Sequence, residues 1–123
     1  AANWFHAVVQ ISKTRSTNVK KISNETFESH RSWKMVTLVD DDMDPTDAVY
    51  VEFAMATRFK ADKDLEIIKN VRGSSLDPSS DQKKLRTAKM GIDATIPTSK
   101  RPDGFKLGRI PKAKTNLKDY LKK

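Results

Sequence analysis

The sequence predicts a small layered α/β domain, with a mostly parallel or mixed sheet flanked by helices and an extended basic C-terminal arm. Two observations lead there. Short β-branched runs alternate with segments of helical spacing, and after Asn70 the texture changes to turn-rich and then proline-punctuated sequence. Strand, helix, strand, helix, strand is the alternation that right-handed crossovers build into a sheet. The 123 residues, 37% of them apolar, supply one modest core, so the chain reads as a single domain. Residues 1–96 form the expected α/β core, and 97–123 the arm with a possible terminal helix.

Each element has its own warrant. His6 to Ile11 (HAVVQI) and Met35 to Val39 are runs rich in β-branched residues and read as buried strands. Between them, Val19, Ile22 and Phe27 fall near helical spacing, with Ser16, Thr17 or Asn18 available to cap the helix. The stretch DPTDAVYVEFAMATRF predicts a stronger helix, because Asp44 can cap it, Pro45 suits its first turn and Asp47 places negative charge near its positive end. Leu65 to Ile68 is a third strand. GSSLDPSSDQ is a loop, either disordered or functional, and KKLRTAKMGIDAT follows it. IPTSKRPDGFKLGRIP reads as extended, and TNLKDYLKK as a short closing helix with Leu117, Tyr120 and Leu121 on one face.

Composition bounds the function. The chain has no cysteine, which excludes disulfides and thiolate zinc sites and is compatible with a reducing compartment. Its apolar runs fall far short of the roughly 20 residues needed to span a bilayer, so a soluble, cytoplasmic protein is expected. The start at Ala1 without methionine, running almost at once into a strand, suggests a piece cut from a longer protein. A net charge of +8 raises a nucleic-acid-binding module as an alternative. Most of that excess lies after Gln82, however, and KAKTNLKDYLKK alone holds five lysines, the pattern of a solvated tail or docking helix.

The acidic run VDDDMDPTD is the first candidate for chemistry. A metal-dependent phosphotransfer site there needs oxygen ligands converging on one ion. Neighbours on a strand point to opposite faces, so Asp40 and Asp42 converge while Asp41 does not. Capping by Asp44 and pairing of Asp40 to Asp42 with nearby lysines or arginines is the simpler reading. His6 and His30 lack the neighbours of a metal box or triad and read as structural or exposed. Arg58 and Asp62 read as a terminal helix pair, Asp93 as an acceptor of backbone hydrogen bonds, and Trp4 and Trp33 as anchors.

Taken in order, VTLVDDDMDPTD, ATRFKADKDLEII, SSLDPSS and AKMGIDAT give a chain that resembles, over about Phe5 to Pro111, the C-terminal domain of the UbiD family. These are prenylated-FMN-dependent decarboxylases and carboxylases of aromatic and unsaturated acids. The resemblance implies an α/β domain that follows a flavin-binding domain, contributes to subunit association in a homo-oligomer or multi-subunit carboxylase, and closes one side of the active site over a small aromatic acid. It places the reacting arginine and glutamates, with the manganese and potassium ligands, upstream of Ala1. It also implies that Lys89, in the KMG motif, reaches the phosphate of the prenylated flavin, as an ammonium on a flexible stem is suited to do. Gly91 would let the backbone turn closely beside it. Many family members are glycine-rich before this lysine, whereas this chain has QKKLRTAKMG. There Lys83, Lys84 and Arg86 add positive field, with Arg86 a further candidate contact.

Overall fold

The computed structural model of the chain describes residues 5–14 and 16–97. Its elements are β1 (His6–Ile11), α1 (Val19–Ser29), β2 (Met35–Asp40), α2 (Ala48–Arg58), α3 (Ala61–Asp64), β3 (Leu65–Arg72) and β4 (Arg86–Ala94). One mixed sheet of four strands, in the order β1-β2-β4-β3, carries helices on both faces. β1 pairs in parallel with β2 and β2 with β4, whereas β3 runs antiparallel to β4. The alternating pattern therefore holds for β1-α1-β2 and breaks at β3. The strand expected to continue a parallel series is an antiparallel edge, and the central place beside β2 goes to β4, a strand absent from the predicted set.

The two faces have separate cores. Val39, Met43, Ala54, Ile92 and Ala94 are buried on the α2 side, packed by Val8, Phe53 and Leu65. Ala7, Phe27, Val36 and Leu38 are buried on the α1 side, where Trp33 and Ile68 pack against them and Trp33 is the anchor expected of it. Each fully buried Leu or Val contributes roughly 1.5–3 kcal/mol, so β2, buried from Val36 to Asp40, is the spine of the domain.

The local signals act largely as their chemistry requires. Asn18 caps α1 by accepting the Lys21 amide at 3.0 Å. The cap of α2 is Asp47, which accepts the Val49 amide at 2.9 Å, and not Asp44. Asp44 instead accepts the amide and hydroxyl of Thr46 at 2.9 and 2.6 Å, shaping the turn before the helix, and these bonds hold its carboxyl below the usual range. The loop over residues 73–85 is ordered around Asp77, whose carboxylate accepts the Ser79 amide and hydroxyl, the Ser80 hydroxyl and the Lys34 ammonium. The loop ends at Leu85, in the left-handed region at φ 52°, where it is held by its amide donating to the Asp81 carbonyl at 2.7 Å and its carbonyl accepting the Gly73 amide at 2.8 Å. The expected arm and terminal helix, together with Trp4, lie outside the described residues.

Candidate functional site

The carboxyl ends of the parallel strands, where ligands commonly bind in α/β sheets, hold the acidic run. Asp40 and Asp42 converge there on Arg58. Its Nη1 donates to Asp40 Oδ2 at 2.9 Å and to Asp42 Oδ1 at 2.8 Å, and its Nη2 donates to Asp42 Oδ2 at 2.9 Å. The Arg58 side chain is fully buried. Its carboxylate hydrogen bonds, that of Asp42 foremost, raise its pKa against the cost of burial. Burial pushes the Asp40 carboxyl up, opposed by the Ile96 amide and by Arg58. Arg58 thus belongs to the acidic run and not to Asp62, which lies 4.0 Å from Lys60. Among the described residues no cluster of three or more acidic or histidine side chains is placed to hold a metal ion.

The same edge fixes the chain as it leaves β4. The Ile96 amide donates to Asp40 Oδ2 at 2.8 Å, and Lys13 Nζ donates to Thr95 Oγ1 at 2.9 Å and to the Ile96 carbonyl at 3.0 Å. Asp93 accepts the Thr95 amide at 3.0 Å, the backbone-holding role expected of it. His6 shares a hydrogen bond with Thr37 Oγ1 at 2.8 Å, and burial lowers its pKa. His30 is exposed, its Nδ1 accepting the Ser32 amide at 3.1 Å.

The residues of the KMG motif lie on β4, and strand alternation sorts them. Lys89 and Gly91 face α1, whereas Met90, Ile92 and Ala94 face α2. Arg86, an odd number of residues from Lys89, falls on the α2 side, where its guanidinium donates to the Asn70 carbonyl at 3.4 Å. Lys89 and Arg86 therefore do not converge. Gly91 makes no turn: it sits inside the strand, opposite Val36 and Glu66. Its missing side chain is explained by α1, because a Cβ there would lie 2.7 Å from Ser23 Oγ.

Lys89 is only 7% exposed. Its ammonium donates to the Arg31 carbonyl at 3.0 Å and lies 5.6 Å from the centre of the Phe27 ring. Burial lowers its pKa. A lysine ammonium has three donors, and one is engaged within the described residues. The groove beside it, of about 430 Å³, is lined by Phe27, Ile68 and Val71 and by the polar side chains of Asn24, Glu28, Glu66 and Arg72. A second groove of about 350 Å³, over Gly91, adjoins it through Glu66 and leads toward Lys20, Lys63 and Asp93. A buried ammonium with donors to spare, opening onto a cleft, is a natural contact for an anionic oxygen.

Comparison with known proteins decides the family. Residues 1–94 match the model of the 3-octaprenyl-4-hydroxybenzoate carboxy-lyase C-terminal domain, UbiD_C. The chain belongs to the UbiD family. Anhydromevalonate phosphate decarboxylase of Methanocaldococcus jannaschii is 48% identical over 108 residues, covering 88% of this chain and 26% of that protein. Gallate decarboxylase of Lactiplantibacillus plantarum is 36% identical over 104 residues, 78% of this chain and 21% of the relative. Among solved structures, the UbiD-class enzyme HmfF from Pelotomaculum thermopropionicum in complex with FMN superposes with a TM-score of 0.80 at 38% identity, covering 94% of this chain and 26% of that one. The UbiD-family chain thus spans about a quarter of the length of the relatives it matches, and its mixed α/β sheet is that of the UbiD class.

Proposed function

We propose that this chain is the C-terminal, active-site-closing and association domain of a UbiD-type non-oxidative decarboxylase or carboxylase. The enzyme acts on an aromatic or α,β-unsaturated carboxylic acid and uses prenylated FMN. The observation that supports this reading best is the buried Lys89 ammonium, with donors left over, at the mouth of a groove in a domain of this family. Lys89 would hold the cofactor's phosphate by charge-assisted hydrogen bonds. Gly91 allows α1 to pack close behind that lysine, and Arg86 adds positive field from the other face.

When bound, the prenylated flavin supplies the electron sink for loss or gain of carbon dioxide. This chain's residues bind and orient it, and the domain covers one side of the site and excludes water. The reacting groups, and any manganese and potassium, belong to an upstream domain, so the 123-residue chain alone binds flavin weakly and turns over no substrate. Solved relatives include an evolved dimeric form of HmfF in complex with prenylated FMN, in keeping with an oligomeric assembly.

The test is Lys89→Ala in the full-length enzyme. Retention of the cofactor through gel filtration should fall while the folded fraction is preserved. Full retention of cofactor would remove Lys89 from the site, and substrate turnover by the isolated chain would overturn the assignment of the reacting groups to an upstream domain.

A further inference from the structure

The ammonium of Lys89 is held by the end of α1. Phe27 lies in the last turn of that helix, and Arg31, whose carbonyl accepts the Lys89 hydrogen bond, lies just past the His30 cap. A helix C-terminus carries partial negative charge and favours a cation. α1 has no basic residue of its own in its last turn. A lysine from β4 takes that place, crossing 58 positions of sequence to do so.

Phe27 is 6% exposed and belongs to the α1-side core, a role that an aliphatic side chain such as leucine also serves. A leucine offers an ammonium nothing, whereas the face of a phenyl ring within about 6 Å attracts it electrostatically. At 5.6 Å the ring satisfies that condition. The attraction acts from the ring face and engages no hydrogen-bond acceptor, so it steadies the charge while the N–H groups turned away from the ring face the groove lined by Asn24, Glu28, Glu66, Ile68 and Arg72.

The geometry points to Phe27 as a positioning residue for cofactor binding, acting through Lys89 by the face of its ring. The inference rests on the reading that Lys89 contacts the cofactor phosphate. It makes Phe27 a determinant of anion affinity as well as a core residue.

The experiment uses the full-length enzyme with FMN as the probe and fluorescence quenching as the readout. 3,4,5-Trifluorophenylalanine at position 27 keeps the ring's shape and weakens its negative face. It should raise the FMN dissociation constant about threefold at unchanged melting temperature. In a Lys89→Met background the same replacement should leave FMN affinity unchanged. Unaltered affinity with the fluorinated ring, where Lys89→Met itself weakens binding, would overturn the role of Phe27 and leave the cofactor reading standing. An equal loss in the Lys89→Met background, or a loss that comes with a lowered melting temperature, would also overturn it, marking packing and not charge. Affinity unmoved by Lys89→Met would overturn the cofactor reading and this inference together.

Discussion

Arg58 Nη1 and the Ile96 amide both donate to one oxygen of Asp40, at 2.9 and 2.8 Å, so a single carboxylate ties the end of α2 to the chain leaving β4. Removing the guanidinium leaves Asp40 buried without its countercharge. Arg58→Met should therefore cost about 3 kcal/mol or more in urea denaturation. Arg58→Lys should rescue little, since an ammonium cannot reproduce the fork that spans both aspartates. Asp42→Asn, at a side chain 41% exposed, should cost less than about 1 kcal/mol. A small loss for Arg58→Met would show the cluster to be ornamental to stability.

The contact between Gly91 and Ser23 gives a coupled pair. Ser23 Oγ is buried without a hydrogen-bond partner among the described residues, and it occupies the space a Gly91 Cβ would need. Gly91→Ala should destabilise by about 1–3 kcal/mol through overpacking. Ser23→Ala removes an unsatisfied hydroxyl and should be neutral or stabilising by about 1 kcal/mol. The double variant should recover most of the loss, a non-additivity that a double-mutant cycle reads directly. Additive costs would place the strain elsewhere.

Asp77 makes the loop over residues 73–85 sensitive to acid. Burial alone would raise its carboxyl, yet hydrogen bonds from Ser79, Lys34 and Ser80 outweigh it and leave the pKa lowered. The sign follows: with a folded value below the unfolded one, the contribution is complete above the usual carboxylate value and is lost as pH falls through the depressed one. Protection factors of the loop amides, with the pH dependence of intrinsic exchange divided out, should therefore fall in that acid range. Asp77→Asn should open the loop at neutral pH and flatten the acid limb. An acid limb unchanged in the variant would mean that another carboxylate controls it.

Which parts of this fold were legible follows from the range of the forces involved. The runs of β1 and β2, the Asn18 cap and the spacing of α1 and α2 are local, and each appears where its residues place it. β4 also carried a local signal, since Ala88, Met90, Ile92 and Ala94 alternate with Thr87, Lys89, Gly91 and Asp93 in period two. A lysine and a glycine in that alternation obscure it, because their reasons for being there are tertiary: Lys89 meets the end of α1, and Gly91 admits Ser23. Sequence spacing offers Arg58 only its neighbour Asp62, because its true partners lie 16 and 18 residues away across a strand-to-helix turn. Phe27 gave a core signal only, and its ring face acquires a second role once β4 lies beside α1.

Lys89 itself separates stability from function. Its ammonium bears a burial cost, which lowers its pKa, against one hydrogen bond and one ring contact. With the folded value below the unfolded one, the unfolded chain holds more protons in the interval between them, so stability rises with pH through that interval and the burial cost is present in full below it. Lys89→Met keeps the apolar stem and removes the charge. At neutral pH it should change stability by no more than about 1 kcal/mol, far less than loss of a well-paired buried group, and the alkaline rise should disappear. Cofactor affinity should fall by about tenfold, the usual scale for a charge-assisted hydrogen bond. Urea titrations at neutral and alkaline pH, set beside FMN binding by the full-length enzyme, measure both quantities. A large loss of stability with intact binding would make Lys89 a structural lysine.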